Sequence, residues 1–103
     1  EDETEYPITD RTEPDKNEIW YTSTDGSVVN PRSNSDFGAN IISNTYYGGR
    51  GIITFDGDVT KIGEEAFYSS SKLVSIHIPE GVTAIKDSAF RFCHQLTDIT
   101  LPN

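Results

Sequence analysis

Val59-Thr60-Lys61-Ile62, Glu65-Ala66-Phe67 and Leu73-Val74-Ser75-Ile76-His77-Ile78-Pro79 form a pattern that the chain writes a second time. The second copy is Val82-Thr83-Ala84-Ile85, Ser88-Ala89-Phe90 and Leu96-Thr97-Asp98-Ile99-Thr100-Leu101-Pro102. The offset is 23 residues at every position: Ile62 to Ile85, Phe67 to Phe90, Leu73 to Leu96, Ile76 to Ile99 and Pro79 to Pro102. Ser75-Ile76-His77-Ile78 and Asp98-Ile99-Thr100-Leu101 alternate polar with apolar residues, the period of a strand with one buried face.

A fixed period in the twenties with apolar residues in L-x-x-I-x-I order is the signature of a leucine-rich solenoid. One such unit cannot bury its own apolar face. Stacking supplies the missing neighbour, so Phe67 is expected above Phe90 and Leu73 above Leu96. The period extends upstream: Ile53 precedes Ile76 by 23 and Phe55 precedes Ile78 by 23. Arg50 stands where the first leucine belongs, which marks a degenerate unit. Three stacked strands are expected, around Ile53, Ile76 and Ile99. Residues 64–68 and 87–92 are predicted as short helical or 3₁₀ segments on the other side, dependent on packing. The expected fold class is α+β: a leucine-rich-repeat solenoid fragment of about two and a third repeats with an N-terminal β-hairpin cap.

The motif I-G-x-x-A-F at 62–67, its counterpart at 85–90 with Lys86 for the glycine, L-x-x-I-x-I-P, and the G-V-T after it resemble the BspA-type leucine-rich repeats of surface proteins from Bacteroides-like bacteria. The resemblance covers about half the chain strongly. It implies a secreted or surface-anchored, non-enzymatic adhesion protein. Its partners would be proteins of the host matrix or of neighbouring cells. It also makes an acidic spacer after a lipid anchor attractive.

Outside the repeats the composition changes. Residues 1–18 carry eight acidic and two basic side chains, and the whole chain has a net charge of −9. Low hydrophobicity with high charge opposes folding, so 1–16 is expected to be a disordered tether. Residues 17–50 form the expected β-rich cap and 51–103 the repeats. Glu18-Ile19-Trp20-Tyr21-Thr22-Ser23-Thr24, Asp25-Gly26 and Ser27-Val28-Val29-Asn30 predict a hairpin. Trp20 and Tyr21 would then close the first open end of the stack. Residues 40–46 predict a further strand, and Gly48-Gly49 a turn. The acidic balance disfavours nucleic acid, and no apolar run approaches the roughly 20 residues of a membrane span. The chain opens on Glu1-Asp2-Glu3 with no leader pattern, so a leader and anchor are expected outside it. A strand left uncovered at the C-terminal end would invite a homodimer or a domain swap there.

Alternation puts Ser75 and His77, and then Asp98 and Thr100, on the outward face of the sheet. The expected columns are Ile52, Ser75, Asp98 and Thr54, His77, Thr100. These four polar residues are the candidate binding positions. Ser75, His77 and Asp98 also spell a nominal triad, but an open sheet offers no enclosed pocket for such chemistry. Asp56-Gly57-Asp58 has the residue types of a calcium loop without its spacing or closing glutamate, and reads as a turn. His77 and His94 fall on opposite sides of the repeat, so no zinc site is expected. Lone Cys93 replaces Ser70 of the first copy and reads as a small buried filler. No cofactor is implied. Trp20, Tyr21, Tyr46 and Tyr47 could anchor an interface. The expected function is therefore a protein-binding adhesion module. The alternative is a structural cap of a larger repeat protein.

Overall fold

The computed structural model describes residues 13–32 and 36–102. Seven strands are present: β1 (Glu18–Ser23), β2 (Ile41–Tyr47), β3 (Arg50–Phe55), β4 (Lys61–Ile62), β5 (Leu73–His77), β6 (Ala84–Ile85) and β7 (Asp98–Thr100). Five make one sheet in the order β2-β3-β1-β5-β7, and β4 pairs with β6 in a second, parallel pair. Most of the expected 1–16 tether, up to residue 12, lies outside the described residues. Asp15 and Lys16 are tied in: their carbonyls accept the amides of Glu18 at 3.0 Å and Val59 at 2.8 Å.

The 23-residue offset reappears as strand register. Ser75 faces Asp98, Ile76 faces Ile99 and His77 faces Thr100 across β5 and β7. Lys61 faces Ala84 and Ile62 faces Ile85 across β4 and β6. The rings of Phe67 and Phe90 stack at 5.7 Å with 2° between their planes, and Leu96 packs against the cluster that holds Leu73.

The predicted helical or 3₁₀ segments are turns, and no described residue is in a helix of either kind. The amides of Ala66, Tyr68, Ser70 and Leu73 each bond a carbonyl three residues back, and Ala89, Arg91, Cys93 and Leu96 repeat this 23 residues later. The cause lies in the backbone. Glu65 and Ser69 sit at φ 58° and 60°, Ser88 and Phe92 at 62° and 63°. A left-handed residue every fourth position breaks the right-handed path that a helix needs. The turns instead bond across copies: the amides of Glu65, Phe67 and Ser69 donate to the carbonyls of Asp87, Ala89 and Arg91 at 3.2, 2.7 and 2.8 Å.

The hairpin expectation also fails in its second half. β1 forms, but 27–30 is not a strand. Side chains take the backbone groups there. The Asp25 carboxylate accepts the Ser27 amide at 3.1 Å, Ser23 Oγ donates to the Ser27 carbonyl at 2.8 Å, and the Val29 amide donates to Tyr21 Oη at 3.1 Å. This geometry turns Val29 into the core. The hairpin that exists joins β2 to β3 through Gly48 and Gly49, both at positive φ. β1 instead inserts antiparallel between β3 and β5. It therefore separates the Ile53 strand from the Ile76 strand, which were expected to be adjacent.

Closure of the first repeat falls to Phe37 and Val29, not to Trp20. The Phe37 ring lies 5.2 Å from Phe55 and 6.3 Å from Phe67. Its carbonyl accepts the Thr60 amide at 3.0 Å. Beside it, Asp36 bonds Lys61 at 2.8 Å, and its backbone presses so closely on Gly63 that an added Cβ would lie 2.5 Å from the Asp36 carbonyl oxygen. Tyr21 belongs to the core cluster, and its hydroxyl donates to Asn44 Oδ1 at 2.6 Å. Trp20 is buried, at 3 % exposure, but lies outside that cluster.

Candidate functional site

Strand register fixes which side chains share the outer face. Trp20 lies opposite Ile52 on one side and His77 on the other, and His77 lies opposite Thr100. One row is thus Ile52, Trp20, His77, Thr100. A second contains Thr22, Ser75 and Asp98, with Arg50 one step beyond the Tyr21–Gly51 pair of β1 and β3. The expected columns are corrected accordingly: the inserted β1 shifts Ile52 into line with His77 rather than Ser75, and Thr54 faces Glu18.

The four residues chosen from alternation come together. Ser75, His77, Asp98 and Thr100 line one shallow groove of about 190 Å³, shared with Trp20, Thr22 and Arg50. The Arg50 guanidinium lies 4.0 Å from the centre of the Trp20 ring, within the range of a cation–π contact. The His77 ring meets the same indole edge-on at 5.9 Å. Burial pushes the His77 imidazole below its ordinary pKa; the Glu13 carboxylate opposes this and Arg50 adds to it. The ring is therefore neutral at pH 7. It carries a donor and an acceptor at once.

Ser75 is not poised as a nucleophile. Its Oγ and Thr22 Oγ1 are hydrogen-bonded at 2.6 Å, and that hydroxyl pair ties β5 to β1. The groove is open to solvent and shows neither a general base on Ser75 nor an oxyanion site. The arrangement can offer hydrogen bonds, one cation and one carboxylate to a ligand surface. Thr22, Trp20 and Arg50 were not foreseen as its walls. The one signal for them was Arg50 itself, a long cation at a leucine position of the repeat.

The other candidates have structural employment. The Asp56 carboxylate accepts the Asn40 amide at 2.9 Å, and no three His, Cys, Asp or Glu side chains among the described residues gather as a metal site. The Cys93 thiol donates to the Phe67 carbonyl at 2.9 Å, and burial raises its pKa. His94 is exposed, 6.1 Å from the Phe92 ring. Tyr46 packs on the core and Tyr47 projects into solvent.

No curated protein and no solved structure matches the chain. Residues 28–103, about three quarters of its length, match the BspA type leucine rich repeat region (6 copies). Leucine-rich repeats of this kind serve protein interactions and are generally non-catalytic. With the match covering both copies and the strands before them, the chain belongs to the BspA-type leucine-rich-repeat family.

Proposed function

We propose that this chain is a binding module of an extracellular or cell-surface adhesion protein. In this reading the repeats build a solenoid whose outer sheet face contacts a protein of the host matrix or of a neighbouring cell. The observation that carries the reading is the convergence of Ser75, His77, Asp98 and Thr100 on one groove with Arg50 and Trp20. An arginine at the centre of a patch is a common anchor of protein interfaces, and the buried Trp20 ring supports Arg50 from beneath. Among the described residues no helix is long and apolar enough to cross a membrane.

The test is binding of the folded chain to immobilised matrix proteins at physiological salt. Saturable binding is expected, weakened about tenfold by His77→Ala and by Thr100→Lys, with the melting temperature unchanged. Binding that ignores both substitutions, or no saturable binding from a folded chain, would sink the reading.

One observation favours a second reading, in which the chain caps a stack and recognition lies in other repeats. Ile85, Ile99 and Leu101 are exposed at the far end. The amides of Ser88, Phe90 and Phe92, counterparts of the donors Glu65, Phe67 and Ser69, have no partner among the described residues. A further repeat, or a second copy in a homodimer or domain swap, would cover both features.

A further inference from the structure

We propose that the free edge of β2 accepts an extended lysine- or arginine-bearing segment of a partner protein as a sixth strand. This surface lies on the side of the sheet opposite β7 and is distinct from the groove. β2 ends the sheet and, among the described residues, pairs only with β3. It has seven residues, more than any other strand here, whereas β7 at the other edge has three.

Edge strands are usually guarded by charge, proline, brevity or a bulge, because their unpaired amides and carbonyls template another strand. Ile41-Ile42-Ser43-Asn44-Thr45-Tyr46-Tyr47 has no charge and no proline. Its one irregularity is the register shift between Ile41 and Ser43. Past that point the edge is regular and rich in β-favouring residues. Ile42 is 64 % exposed and Tyr47 76 % exposed. An extended backbone about 4.8 Å away matches the spacing of such an edge along its whole length.

Charge selects the occupant. The chain carries −9, so a second copy is repelled on approach and a cationic segment is attracted. A lone pair of edge strands also buries less than the roughly 1,200 Å² of a stable dimer. The neighbouring charges agree. The exposed Asp56 carboxylate lies beside the start of β2, held by Asn40. Arg50, opposite Tyr47 on β3, has its guanidinium over Trp20 on β1, away from the edge. The exposed Tyr47 ring is then free to receive a lysine or arginine from the added strand.

The experiment is amide shift mapping of the whole chain against a decapeptide of alternating lysine and threonine. The same peptide with glutamate for lysine serves as comparison. Saturable shifts confined to 41–47 and its partner β3 are expected, with slowed hydrogen exchange of the outward β2 amides. The glutamate peptide, and Thr45→Lys or Tyr47→Ala in the protein, should each weaken binding about tenfold. N-methylation of alternate peptide amides should abolish it. Four results would overturn the proposal: equal binding of both peptides, shifts at Ser75 and His77 instead, no shifts at all, or β2 shifts that follow protein concentration alone.

Discussion

The two repeat copies share their apolar pattern but have opposite environments. Ile76 is 1 % exposed and its counterpart Ile99 is 42 % exposed; Ile78 is 1 % exposed and Leu101 57 %. Ile62 is fully buried whereas Ile85 is open. The first copy lies between the cap and the second copy, and the second has a neighbour on one side. Burial in a stacked repeat is thus a property of the stack and not of the residue. The difference has a direct energetic meaning. An apolar side chain contributes in proportion to the surface removed from water, so the same isoleucine carries unequal weight in the two copies.

The sharpest way to break this comparison is to cut the same side chain in each copy. Ile76→Ala removes a fully enclosed side chain and is expected to cost about 2–5 kcal/mol. Ile99→Ala removes one already half in water and should cost about 1 kcal/mol or less. Urea unfolding of both variants measures the gap. Equal losses would mean that the far end is covered in solution.

A second contrast concerns a motif position where the two copies differ. Gly63 and Lys86 occupy equivalent places, and the cap explains the exchange. The backbone of Asp36 lies where a Cβ at residue 63 would go, and nothing comparable presses on the exposed Lys86. Gly63→Lys is therefore expected to destabilise by about 2 kcal/mol through forced displacement of the cap. Lys86→Gly should stay within about 1 kcal/mol. Thermal melts of both variants decide it. A tolerated lysine at 63 would show that the loop around Asp36 yields without loss.

What the sequence made legible follows the same division. The 23-residue offset carried straight into the pairing of Ser75 with Asp98 and the stacking of Phe67 on Phe90, because stacked copies must keep register. Strand alternation then placed the four outward polar residues correctly enough for them to meet in one groove. The cap was harder to read. Ile19-Trp20-Tyr21 announces a strand but not its partners, and the Asp25-Gly26 turn pointed to a hairpin that side-chain bonds from Asp25 and Tyr21 replace. The groove's other wall comes from that inserted strand and from Arg50. The repeat alone therefore showed half of the groove. Helical or 3₁₀ segments were expected on the side of the repeat opposite its strands, while the left-handed positions at Glu65 and Ser69 carry no sequence mark that a single chain displays.

The smallest expected difference between the copies is electrostatic, and pH tests it. Lys72 of the first copy reaches Asp25 of the cap at 3.2 Å, whereas the equivalent Gln95 cannot form an ion pair. The Ser27 hydroxyl, at 2.6 Å, and then Lys72 hold the Asp25 carboxyl down at about 2 against an ordinary 3.8. A group whose folded pKa lies below its unfolded value stabilises above the unfolded pKa, and that contribution is lost as pH falls through the folded one. The loss should therefore run from near pH 4 to near pH 2. Both partners are exposed, so it is modest and shrinks with salt. Melting temperatures of the wild type and Asp25→Asn, taken from pH 6 to pH 2, should differ most at the top of that range and converge at the bottom. A constant difference across it would mean that Asp25 acts through the shape of its turn, with the Ser27 bonds rather than the charge holding the cap against the first repeat.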